Sequence, residues 1–299
     1  MMRVAPILRW GERPRKRPSA DEVNEIRWSE VLLLPPATED PSVTFDRVKA
    51  EESPETRTWK EPSMRYDKDV EELLETCLRG DRDAIRECVD ACLERIEPDE
   101  LLVEMILPSI ERIETLGRED RLTSSAMNVV LRSMRLAAGR LIERLDGGRR
   151  NDGPTLDILL YSGKDIAEEL QGEIMAAVLE TDGHRVRFAG GGVPADEILA
   201  DVGRLDPDLL LLYASAAGDA PAIREVIDSI RGIGARPDMQ IAIGGGVFAR
   251  AAGLAEEIGA DLWSDEPALL RRVIVEERDQ RAFAEQRTVG RGRRSARAA

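Results

Sequence analysis

The sequence predicts an α/β protein: a five-stranded, parallel, doubly wound sheet of the flavodoxin or Rossmann type, preceded by a four-helix bundle. Three observations carry that expectation. Between Asp67 and Leu145 the apolar residues recur at helical spacing. Between about Thr155 and Val275, short apolar runs alternate with amphipathic helical stretches, the order that a parallel sheet with crossover helices requires. Aromatic residues make up only 4% of the chain, so its core must be built from Leu, Ile, Val, Ala and Met, which suits bundles and parallel sheets.

Residues 1–66 are punctuated by Arg13-Pro14-Arg15-Lys16-Arg17-Pro18, Pro35-Pro36, Pro41, Pro54 and Pro62, and show little periodicity. This low-order extension is expected to lack a packed core, with Trp28 to Leu34 as its one stretch suited to docking. The bundle is expected at 67–146. Val70, Leu73, Leu74, Cys77 and Leu78 mark one face of the first helix, which Gly80 stops. Asp81 caps a second helix, whose inner stripe is Ala84, Ile85, Cys88, Val89, Cys92 and Leu93. Pro98-Asp99 opens a third, Leu101 to Leu116. A fourth starts near Thr123 and carries Met127, Val130, Leu131, Met134, Ala138, Leu141 and Leu145. Short turns between such helices make a bundle.

The polar run 147–154 reads as a linker. In the α/β domain, 155–277, strands are expected at Leu156–Tyr161, Arg185–Ala189, Leu209–Ala214, Gln240–Ile243 and Ala260–Trp263. Helices are expected at Ile166–Thr181, Ala195–Arg204, Ala220–Gly232, Phe248–Ile258 and Glu266–Glu277. Residues 278–299 form a basic tail, with Arg287, Arg291, Arg293, Arg294 and Arg297, expected to be disordered and solvated.

The 299 residues carry a formal net charge of -15, which opposes non-specific attraction to phosphates, so direct nucleic-acid binding is not expected. No apolar run reaches the length of a membrane span, and none resembles a signal-peptide core. Cys77, Cys88 and Cys92 crowd into one region and do not make a disulfide framework. They are expected as core residues of a protein in a reducing, cytoplasmic setting. The chain has a single histidine, His184, at the start of a strand with no catalytic partner beside it. Ser-His-Asp triads, Cys-His pairs and HExxH centres are thereby unsupported, and no catalytic or metal-ligating set is expected.

In an open parallel sheet, ligands bind at the carboxyl ends of the strands. That edge is formed by the loops Ser162–Ala167, Gly190–Pro194, Ser215–Ala220 and Gly244–Val247. The glycine triplets Gly190–Gly192 and Gly244–Gly246 permit either close approach by a ligand or a tight strand-to-helix turn. The first strand runs into Ser162-Gly163-Lys164-Asp165, which is neither G-x-G-x-x-G nor a phosphate loop, so nucleotide chemistry is not expected. Asp165 is placed to cap the following helix, and carboxylates such as Glu168 and Glu169 in a first turn are ordinarily solvated. Tyr213 and Ser215, at the end of the third strand, either touch a ligand or pack.

The layout of a helical cap followed by a flavodoxin-like domain resembles the cobalamin-binding modules of methionine synthase, corrinoid carriers and light-sensing regulators. The residues that carry the resemblance are Leu107-Pro108, Ile110 and Ile113 in the cap. In the α/β domain they are Leu179-Glu180, Gly183-His184, Val186, Pro194, Asp206-Pro207-Asp208, Pro221, Gly244-Gly245 and Glu256-Glu257-Ile258-Gly259-Ala260-Asp261. The resemblance implies that Gly244-Gly245 makes room for the nucleotide tail of cobalamin. It also implies a D-x-H-x-x-G loop whose histidine ligates cobalt, and here the chain departs. Counting back from Gly183 puts Glu168 at the histidine position and Gln171 at the glycine position. A gapped alternative aligns Lys164-Asp165-Ile166-Ala167 with the family's H-D-I-G and lacks the histidine as well. The family's serine at the end of the third strand is matched by Tyr213, with Ser215 two residues on. The corrin-facing tryptophan and Glu-His pair of the cap are matched by Gly117 and Met127-Asn128.

The expectation is therefore a non-enzymatic regulatory or sensory protein on the cobalamin-binding scaffold, either holding cobalamin base-on or without it. A corrinoid carrier component of a methyltransferase system is the alternative. Candidate cofactor contacts are Ser162, Glu168, Gly191, Tyr213, Ser215, Gly244 and Gly245, with cobalamin the only cofactor considered and no metal ligand among the side chains. Protein partners are expected through the cap or the amino-terminal extension, self-association is left open, and no membrane contact is expected.

Overall fold

Local chemistry sets the helical boundaries of the computed structural model, which describes residues 66–145, 155–234, 236–251, 253–264 and 267–282. Helix α1, Asp67–Arg79, ends because Gly80 turns left-handed at φ 68° and donates its N–H to the carbonyl of Cys77. Asp81 then accepts from the N–H groups of Asp83 and Ala84, opening α2, Arg82–Leu93. The expected third helix is divided: α3 spans Pro98–Leu101, a π-helical segment spans Leu102–Ile106, and α4 spans Leu107–Arg118. Pro108 supplies the reason. It has no N–H for the carbonyl of Glu104, and its ring would crowd that carbonyl in a regular turn. The wider turn, with Leu107 N–H bonded to Leu102 O, relieves the conflict. Helix α5, Ser124–Ile142, starts where the Thr123 hydroxyl accepts from Ala126 N–H at 3.2 Å. It stops before Leu145, which still packs on the core.

Five strands follow: β1 Asp157–Ser162, β2 Arg185–Gly191, β3 Leu209–Tyr213, β4 Gln240–Gly244 and β5 Leu262–Trp263. All pair in parallel, in the order β2-β1-β3-β4-β5. The connecting helices are α6 Ile166–Thr181, α7 Ala195–Leu205, α8 Ala220–Ile233, α9 Gly246–Arg250, α10 Leu254–Ile258 and α11 Pro267–Glu276. The helix expected at Phe248–Ile258 is two short ones, because Gly253 at φ 81° cannot continue a right-handed helix.

Strand β3 divides the core by its side-chain alternation. Leu209, Leu211 and Tyr213 point to the face covered by α6, α11 and the bundle; Leu210 and Leu212 point to the face covered by α7 to α10. The bundle interior and one face of the sheet thus form a single apolar cluster. Arg271 of α11 bridges the two parts, bonding both oxygens of Asp182 at the end of α6 and Asp99 of α3 at 3.2 Å. The chain past α11 stays on the domain: Gln240 Nε2 donates to the carbonyls of Glu277 and Gln280, and Arg281 Nη2 to that of Asp238. The expected extension 1–66, except Tyr66, the linker 147–154 and the tail from residue 283 lie outside the described residues. No helix among the described residues is long and apolar enough to cross a membrane.

Candidate functional site

Strands β1 and β3 are neighbours whose onward connections leave in opposite directions, so a crevice opens at their carboxyl ends. The first side chain in that crevice is Glu168. Helix α6 opens with a capping box, in which Asp165 N–H donates to Glu168 Oε2 at 3.2 Å. The other oxygen, Oε1, accepts from Ser215 N–H at 2.7 Å and Ala216 N–H at 2.8 Å, both in the loop after β3. Glu168 is 1% exposed, so the solvated placement expected for a first-turn carboxylate does not hold. The reason is tertiary: the β3 loop turns two amides toward the carboxylate, and charge-assisted hydrogen bonds to them offset its loss of water. Gly163 makes room, because a Cβ there would fall 2.0 Å from Glu168 Oε2. Glu169, one residue on, is partly exposed and faces Arg135 of α5 at 3.4 Å.

From Glu168 a buried polar chain runs into the bundle. Ser215 Oγ donates to Gln171 Oε1 at 2.9 Å, and Gln171 Nε2 donates to Glu114 Oε2 of α4 at 2.9 Å. Burial raises the pKa of Glu114, and the Gln171 amide opposes that rise. Asp219 closes the short turn Ala217–Asp219, and burial beside Glu168 pushes its pKa up to about 6. Arg250 of α9 donates to the Ser215 carbonyl, and burial with the nearby Arg118 charge lowers its pKa. In the sequence Gln171 stands out only as a departure from the family motif. Glu114 and Asp219 carry no local signal, since only folding brings them to this edge.

The glycines and Tyr213 complete the edge. A Cβ at Gly191 would lie 2.0 Å from the carbonyl oxygen of Gly163. One at Gly245, where φ is 106°, would lie 2.1 Å from the Ala214 carbonyl. One at Gly244 would lie 2.5 Å from Leu270 Cδ2 and 3.0 Å from the Tyr213 ring. Each glycine therefore faces the chain's own atoms. Tyr213 is 2% exposed, and burial holds its phenol well above the usual pKa, with Glu111 and Glu114 adding to the rise. Ser162 Oγ is buried with no hydrogen-bond partner among the described residues. In the cap, Met127 lies on Gly117, where a Cβ would fall 2.4 Å from its sulfur. His184 is at the opposite end of the sheet, its Nδ1 accepting from Leu156 N–H at 3.3 Å. Burial pushes the Cys77 thiol up to about 12, and no His, Cys, Asp or Glu cluster among the described residues is arranged to hold a metal.

The fold of the α/β domain places it in a class. Residues 159–269 match the family model described as the B12 binding domain. The chain is 19% identical over 196 residues to dimethylamine corrinoid protein 1 of Methanosarcina acetivorans, covering 66% of this chain and 91% of that protein. Among solved structures, the monomethylamine corrinoid protein of Methanosarcina barkeri superposes with a TM-score of 0.61 at 14% identity, covering 71% of this chain and 99% of that one. At that identity the likeness is one of fold.

The side chains at the edge do not fit cobalamin held in the way the sequence resemblance implies. The position matched to the cobalt ligand holds a carboxylate already bonded to three backbone N–H groups. The space beside Gly244 is filled by Tyr213 and Leu270.

Proposed function

We propose that the chain is a non-enzymatic, corrinoid-protein-type component of a methyl-transfer system and works by docking on a protein partner. The extent of the likeness carries this reading. It reaches over 196 residues and 91% of a dimethylamine corrinoid protein, more than the α/β domain alone supplies, so it takes in residues outside that domain.

A second reading, a regulatory or sensory protein on the same scaffold without the cofactor, is favoured by one observation: Glu168 already occupies the crevice. One experiment separates the two. The purified chain is incubated with hydroxocobalamin and adenosylcobalamin, free ligand is removed, and the visible spectrum is recorded. A retained chromophore supports the first reading. Complete loss of it supports the second and sinks the first.

A further inference from the structure

We infer that Tyr213 and Leu270 form a built-in plug that keeps a nucleotide tail out of the sheet, so that recognition of any corrinoid by this protein stops at its ring and rim. The inference rests on the proposed corrinoid reading only for its choice of ligand; the plug itself is a property of the packing. Register places Tyr213 directly opposite Gly244 on the adjacent strand, on the face covered by α11. Its ring and the Leu270 side chain both lie against the bare Cα of Gly244. Tyr213 is 2% exposed and Leu270 1% exposed, so neither is a surface side chain that an entering ligand could brush aside. Both belong to the apolar cluster that joins the bundle to the sheet. Opening the space would break contacts on both sides of that junction, and close-packed interiors resist such displacement.

The glycine that would admit a ligand thus admits the chain's own tyrosine. The consequence is a specificity: the nucleotide tail gains no contact inside the sheet and adds nothing there to the affinity. Cobalamin, if held, keeps its own base on cobalt, because the tail has nowhere else to go.

The test uses the full chain with cobalamin, with cobinamide, which lacks the nucleotide tail, and with the free nucleoside of that tail, dimethylbenzimidazole riboside. The expected result is equal affinity for the two corrinoids, within about threefold, and a base-on spectrum for bound cobalamin. The nucleoside leaves the melting temperature of the wild type unchanged. In Leu270→Ala, and in Leu270→Ala combined with Tyr213→Ser, it raises the melting temperature by about 2 °C or more, because a ligand that fills the vacated slot binds only the folded state.

A preference of about tenfold or more for cobalamin over cobinamide, with the base off cobalt, overturns the inference. So does stabilisation of the wild type by the nucleoside. Indifference to the nucleoside in both variants, when circular dichroism shows them folded, overturns it as well. Retention of neither corrinoid sinks the proposed function instead, and the nucleoside arm then decides the plug by itself.

Discussion

A single carboxylate organises the sheet edge. Glu168 satisfies two amides of the β3 loop and one of its own cap, so its removal leaves buried donors without an acceptor. Glu168→Ala is expected to cost about 3 kcal/mol in urea unfolding, and Glu168→Gln, which keeps one acceptor oxygen, about half that. An unchanged urea midpoint for the alanine variant would contradict this account. Asp219 beside it gives a pH signature. Its folded pKa of about 6 lies above the ordinary 3.8, so the folded state holds the proton more tightly. That contribution is fully present below pH 3.8 and is lost as the pH rises through about 6. Asp219 is partly exposed, so solvent screening limits the effect to about 1 kcal/mol. Wild type and Asp219→Asn, unfolded in urea at a series of pH values, should differ by a slope confined to that window. Parallel curves would remove Asp219 from the picture. None of this was legible in the chain: a first-turn carboxylate reads as solvated until the partner loop is known.

At the scale of elements, periodicity located the strands and most helices, and its failures have local causes. Leu101 to Leu116 reads as one helix because its apolar stripe runs unbroken. Pro108 nevertheless forces the π-helical turn Leu102–Ile106 that divides it. Gly253 likewise divides the expected Phe248–Ile258 helix. The turn after β4 depends on Gly245, whose φ of 106° disfavours any side chain and whose Cβ would strike the Ala214 carbonyl at 2.1 Å. Gly245→Ala should therefore destabilise the protein by about 3 kcal/mol, read as a lowered urea midpoint. A loss within about 0.5 kcal/mol would mean that the turn has another conformation open to it. The glycine triplets were visible in the sequence, but which partner each one faces was not, because ligand and backbone impose the same demand for a missing Cβ.

The whole molecule is held across the bundle and the sheet by one apolar cluster and by Arg271, which bonds Asp182 and Asp99 at once. Arg271→Ala leaves two largely buried carboxylates without their cation and is expected to cost about 3 kcal/mol. Because the core is continuous, amides of α5 and of β3 should exchange with solvent at the same opening free energy in the wild type. Exchange of the bundle at a markedly lower free energy would show two independent units. By itself the sequence determined the order of elements, the parallel sheet and the kinship with cobalamin-binding proteins. Those follow from the spacing of apolar residues and from short motifs, which are properties of neighbours along the chain. Only the tertiary structure decided that Glu168 is buried in the crevice and that Tyr213 and Leu270 cover Gly244. Those outcomes depend on which atoms from distant segments reach the same space first, and one-dimensional spacing does not encode that competition.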